Sequence, residues 1–212
     1  MISITEILVK FSKQKAIKDK IAFFYKSHGN GFEKWLQFEL LHWLDQKQGH
    51  QVFPETSFET DKRRTKKYKN QIDLVVNLKG QSNKVNHAIE LKVTKSETGT
   101  FRKAVRDLMR LALIKESEWN LRSVTAMVIC EGKDSIKYAN YLDNLKEKEK
   151  HSWIFECIPI QKGGASIYLF TWRASPRKAK KEHFVAFVKH LTDTARDSGL
   201  DAFSNQQKKR KS

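Results

Sequence analysis

With 212 residues, 39% of them hydrophobic and including five Trp and thirteen Phe, the chain can bury one sizeable core but is short for two full domains. A total of 41 Lys and Arg against 24 Asp and Glu leaves a net charge of +17, which points to a polyanionic partner, nucleic acid first. No apolar run approaches the roughly 20 residues needed to span a bilayer, and Lys10, Lys13 and Lys15 interrupt the only apolar stretch near the N-terminus, so no membrane partner and no signal peptide are expected. Cys130 and Cys157 lie in apolar, strand-like runs and match no zinc spacing; they read as buried free thiols of a cytoplasmic protein.

Taken in chain order, residues from about Ser3 to Lys26 have helical spacing with many lysines and read as an N-terminal helical extension. A turn at Ser27–Gly31 opens a stronger helix from Phe32 to about Lys47, ended by Gly49. Gln51–Glu59 is a first strand, followed by a basic loop, Asp61–Asn70. Two strands, QIDLVV and AIELKV, come next, joined by the polar stretch LKGQSNKVN, in which Gly80 can turn the chain back as a hairpin. Glu97 to about Glu116 is a long helix with Phe101, Val105, Leu108, Leu111 and Ala112 on one side, and Ser123–Glu131 is a compact apolar strand buried on both faces. A charged helix near Ser135–Lys150 and two strands, Trp153–Ile160 and Ser166–Trp172, follow. After a break at Pro176, an amphipathic helix carries Phe184, Phe187, Val188 and Leu191, and the tail ends in Lys208–Lys211.

The hairpin carries the chemistry. In QIDLVV, Ile72, Leu74 and Val76 point one way and Asp73 the other; in AIELKV, Ile89, Leu91 and Val93 form the apolar face while Glu90 and Lys92 share the opposite one. Two carboxylates so placed can hold a hard divalent cation through oxygen ligands. A neighbouring ammonium can steer a water or offset developing negative charge. The pattern points to metal-dependent phosphodiester chemistry, and its plain alternative is a solvated strand face with cross-strand ion pairs.

The order helix, three strands, helix, strand, together with Asp73 and the E-x-K triplet Glu90-Leu91-Lys92, resembles the PD-(D/E)xK nuclease superfamily over roughly Gly31–Glu131. The flanks IDLVV and IELKVTK look especially like archaeal Holliday-junction resolvases and related restriction-type nucleases, although Ile72 stands where the family motif has proline. The resemblance implies an α/β fold: a restriction endonuclease-like αβββαβ core with a mixed central sheet flanked by helices, plus N- and C-terminal helical extensions. A single nuclease domain would then comprise an extension (1–30), the core (31–131), an additional helix and strands (132–174) and a C-terminal helix with a basic tail (175–212).

The resemblance further implies that Asp73, Glu90 and the main-chain carbonyl of Leu91 ligate Mg²⁺, with Mn²⁺ able to substitute, and that a metal-bound water attacks phosphorus. A free lysine has a pKa of about 10.4, so Lys92 suits an electrostatic role better than that of a base. Many members of the family add a helix glutamate that reaches the metal or its waters. Glu33 and Glu39 both border the apolar stripe of their helix; Glu33 fits the G-x-E pattern near the helix start and is favoured, with Glu39 as the alternative.

Around this centre the basic residues cluster twice. Arg63, Arg64, Lys66, Lys67 and Lys69 precede Asp73, while Arg102, Arg106 and Arg110 recur every fourth position on the helix after the hairpin, with Lys95 between. Flanking a candidate site, they favour contacts to a nucleic-acid backbone. DNA is the expected substrate, and RNA stays open because Tyr68 could stack on an unpaired base. Glu55 and His42 read as solvated, and His87 as a surface histidine. Three roles fit: an endonuclease of restriction, phage defence or mobile-element DNA processing, a branched-DNA resolvase, and a catalytically silent DNA-binding or assembly module. By resemblance, the protein acts as a homodimer or with a partner protein.

Overall fold

Ser3 caps the first helix, α1 (Ile4–Lys13): its hydroxyl accepts the N–H of Glu6 at 3.2 Å, and the Glu6 carboxylate accepts the N–H of Ser3 at 2.8 Å. Ile4, Ile7, Leu8 and Phe11 recur at helical spacing and are all buried. Gln14 is extended and breaks the run, so the next apolar stripe, Ile17, Ile21 and Tyr25, belongs to a second helix, α2 (Lys15–Ser27). A third helix, α3 (Glu33–His42), buries Leu36 and Leu40 and widens into a π-helical turn over Trp43–Lys47. Gly49, at φ 67°, then redirects the chain into the sheet.

The computed structural model describes residues 3–27, 31–58, 70–82, 85–93, 121–131, 153–160 and 164–173. Its strands are β1 (Gln51–Phe58), β2 (Asn70–Asn77), β3 (Asn86–Val93), β4 (Leu121–Glu131), β5 (Trp153–Pro159) and β6 (Ala165–Arg173). They form one sheet in the order β1-β2-β3-β4-β6-β5. The β3–β4 pair is parallel and the other four pairings are antiparallel. The protein is thus α/β with a mixed six-stranded sheet. The helices expected at Glu97–Glu116, Ser135–Lys150 and around Phe184–Leu191, and the tail Lys208–Lys211, lie outside the described residues.

Alternation along the strands gives the sheet two faces. One carries Leu74, Val76, Ile89, Leu91, Val93, Met127, Ile129, Ile167 and Leu169, which share a single core with the buried stripes of the three helices. The residues expected as an N-terminal extension are part of that core, since Leu8, Phe11 and Ile21 are fully buried in it. The Thr5 hydroxyl of α1 donates to the Thr171 hydroxyl of β6 at 2.8 Å, and Thr171 lies 3.0 Å from the Thr125 hydroxyl of β4, a buried polar seam that fixes how α1 sits. The other face carries Asp73, Val75, Ala88, Glu90, Lys92, Val124, Ala126 and Val128, read from the register. Its apolar members are buried as well.

The β2–β3 loop is pinned at its closed end. Gly80 (φ 81°) makes the turn, and the Asn77 side-chain amide donates to the carbonyls of Ser82 (3.0 Å) and Val85 (2.8 Å). His87, expected on the surface, is instead only 5% exposed, because β4 covers its strand. Both ring nitrogens are engaged: Nε2 lies 3.1 Å from the Gln81 side-chain oxygen and Nδ1 lies 2.7 Å from the Ser123 hydroxyl. Burial, reinforced by the Arg122 charge, lowers the His87 pKa from 6.5 to about 4. Between those values the unfolded chain binds a proton that the folded protein refuses, so stability falls as the pH drops from 6.5 towards 4. The expected loss is about 3 kcal/mol. His87→Gln should flatten the pH dependence of the urea midpoint in that window; an unchanged slope would show that another group sets it.

The two cysteines are free, Cys130 buried and Cys157 half-buried. Burial pushes the Cys157 thiol pKa up, against hydrogen bonds to the Ser166 and Tyr168 side chains that lower it. Among the described residues no helix is long and apolar enough to cross a membrane.

Candidate active site

The β2–β3 ladder runs through Val76↔His87, Val75↔Ala88 and Leu74↔Ile89 and stops there. In an antiparallel pair, alternate residues turn their N–H and C=O towards the neighbouring strand. Past the last rung, the N–H groups of Leu91 and Val93 lose their strand partner and need acceptors. Two carboxylates supply them. Asp73 Oδ2 accepts from Leu91 at 2.7 Å, and Glu33 Oε2, at the first residue of α3, accepts from Val93 at 3.2 Å. The strands therefore open into a fork with a carboxylate on each of two exposed rungs. The Leu91 carbonyl points to the same side as its N–H and so faces the fork.

Glu90 and Lys92 stand two residues apart on β3, on the face that Asp73 shares. Lys92 Nζ lies 3.4 Å from Glu33 Oε1 and 3.5 Å from Glu90 Oε2, so one ammonium links the helix carboxylate to the strand carboxylate. Glu90 is only 6% exposed and its neighbours in the face include Ala88 and Ala126, which rules out a solvated strand face. Among the described residues, Asp73, Glu90 and Glu33 thus gather around Lys92, with Glu90 the most deeply buried of the three carboxylates.

Of the two helix glutamates, Glu33 is the one that meets Lys92, while Glu39 pairs with Lys20 of α2 at 2.5 Å. Glu55 is exposed and ion-paired with Lys34 of α3. His42 is exposed, and His50, just before β1, accepts the Lys79 N–H through Nδ1 at 3.1 Å, with its pKa lowered by burial and then by the Lys79 charge. The basic residues Arg63, Arg64, Lys66, Lys67, Lys69, Lys95, Arg102, Arg106 and Arg110 lie outside the described residues.

Sequence reasoning missed Gln37. It is 5% exposed, and its side-chain amide donates to the main-chain carbonyl of Asp73 at 2.8 Å. The available signal was its spacing: four residues after Glu33 and one after Leu36, a polar residue on the buried side of a short helix.

The donors at the fork are of the type a hard cation takes: Asp73, Glu90 and the Leu91 carbonyl all offer oxygen. A carboxylate has about four lone-pair directions, so accepting one N–H leaves Asp73 room for a second partner. Among the described residues, however, no group of three or more His, Cys, Asp or Glu side chains gathers closely enough to hold a metal ion. Compared with models of known protein families, with curated proteins and with solved structures, the chain matches none.

Proposed function

We propose that the protein is a Mg²⁺-dependent DNA endonuclease with a restriction endonuclease-like core of the PD-(D/E)xK type. The single observation that carries this reading is the opened β2–β3 fork, where Asp73 and Glu33 take the freed N–H groups of Leu91 and Val93 and Lys92 lies between Glu33 and Glu90. Asp73, Glu90 and the Leu91 carbonyl would hold the cation, Mg²⁺ or Mn²⁺ in its place, which when bound would supply an acidified water and screening of the phosphate. Lys92, placed by Glu33 and Glu90, would offset the negative charge that builds on the phosphate. Glu33 holds that ammonium in place. The net charge of +17 supports a polyanionic substrate, drawn in by long-range attraction that salt weakens.

The test is incubation with plasmid, four-way-junction and single-stranded DNA in Mg²⁺ or Mn²⁺. Cleavage that needs the cation and weakens with rising salt is the expected result. Preference for the junction would assign the protein to branched-DNA resolution, and equal cutting of plasmid to a restriction-type or mobile-element role. A second reading, a silent DNA-binding module, draws on Lys92 already sitting between the carboxylates. Salt-sensitive DNA binding with no cleavage of any form in either cation would establish it.

A further inference from the structure

One short helical segment reaches all three strands around the fork. Glu33 accepts the Val93 N–H of β3, Lys34 pairs with Glu55 of β1, and Gln37 donates to the Asp73 carbonyl of β2. The last of these falls beside an irregularity of the sheet. The β1–β2 register passes from Pro54↔Leu74 to Thr56↔Ile72 and omits the rung between, where Glu55 has φ 47° opposite Asp73. Leu74 turns its backbone groups to β3, so Asp73 turns its own to β1, where the rung is missing. A carbonyl oxygen has two lone pairs, and beside this irregular rung the part-buried Asp73 carbonyl accepts from the helix, where Gln37 donates to it.

We infer that Gln37 is a positioning residue: by gripping the main chain of Asp73 where both neighbouring ladders are interrupted, it sets where the Asp73 carboxylate stands relative to Glu90 and the Leu91 carbonyl. The inference rests on the proposed metal-dependent reading of the fork. Asp73 is held on one side by its own carboxylate on the Leu91 N–H and on the other by Gln37 on its carbonyl. Removing the second grip frees the residue to pivot about the first. A ligand held by one bond in place of two spends less time where the cation needs it, and outer partners of metal ligands typically change cation affinity by about 10–100-fold.

The experiment is a calorimetric Mn²⁺ titration of the full chain, without DNA, on the wild type, Asp73→Asn, Gln37→Met and Leu40→Val. Met has nearly the length of Gln without its donor, and Leu40 lies on the same helix, fully buried. The expected result is Mn²⁺ binding by the wild type that is lost in Asp73→Asn, weakened by about tenfold or more in Gln37→Met, and within about twofold of wild type in Leu40→Val. Wild-type affinity in a folded Gln37→Met overturns the inference while leaving the fork's cation site standing. Should Gln37→Met not fold, Gln37→Glu, which keeps the length but replaces the donor with an acceptor, takes its place with the same criterion. Equal weakening in Leu40→Val would show that any loosening of α3 suffices, and the role of Gln37 would then be structural only. Absence of Mn²⁺ binding by the wild type overturns both the inference and the metal-dependent reading beneath it.

Discussion

Asp73→Asn should lower cation-dependent DNA cleavage by about 10³-fold or more while leaving the protein folded. The amide keeps an oxygen for the Leu91 N–H, now 2.7 Å from Asp73 Oδ2, so the rung at the mouth of the fork survives. What disappears is the negative charge that the cation requires. Asp73→Ala removes charge and acceptor together, leaving a part-buried N–H unpaired at a cost of about 1–3 kcal/mol, so its lost cleavage would mix chemistry with stability. Lys92→Met makes the complementary cut. It keeps the apolar stem and deletes the ammonium that lies 3.4 Å from Glu33 and 3.5 Å from Glu90. Cleavage should fall by a comparable factor, but Mn²⁺ should bind as tightly as before or more tightly, because the Lys92 ammonium no longer repels the cation. Cleavage near the wild-type rate in folded Asp73→Asn would remove the fork from the reaction altogether.

Phe11→Ala should destabilise the fold by about 3–5 kcal/mol, read as a shift in the urea midpoint at constant slope. Phe11 is fully buried and its ring centroid lies 5.4 Å from that of Trp43, so truncation opens a cavity between α1 and the end of the α3 segment. Against a typical total of about 5–15 kcal/mol, that loss is a large share. Phe23→Ala, at a ring 61% exposed on α2, should move the midpoint by no more than about 0.5 kcal/mol. A small effect at Phe11 would mean that α1 can detach without disturbing the sheet.

The parts of this molecule that repeat were legible in its sequence. Period-2 alternation placed β2 and β3 and turned Asp73, Glu90 and Lys92 away from Ile72, Leu74, Ile89 and Leu91, and the Gly49 stop marked the end of the α3 segment to within its π-helical turn. What escaped depends on distant partners. Nothing local in His87 announces that β4 will bury it, and the lysines scattered along α1 and α2 disguise stripes whose burial is decided by β6 and α3. Gln37 escaped for the same reason: its acceptor is a main-chain carbonyl 36 residues away in another element. Glu33 and Glu39 both bordered the apolar stripe on the helix wheel and the G-x-E pattern favoured Glu33; the structure brings Lys92 to Glu33 and Lys20 to Glu39.

The Asn77 pin at the closed end of the hairpin bears on how this protein can change over generations. Strand side chains alternate, so slipping β2 by one residue against β3 would send Asp73 into the helix-covered core and push Leu74 and Val76 out of it. With the Asn77 amide fastened to Ser82 and Val85, the strand is anchored from that end, and every residue outward to Asp73 is counted from it. Conservative replacements of Leu74, Val75 or Val76 cost packing alone. Deleting any one of them inverts everything beyond, so β2 tolerates a change of side chain far better than a one-residue change of length.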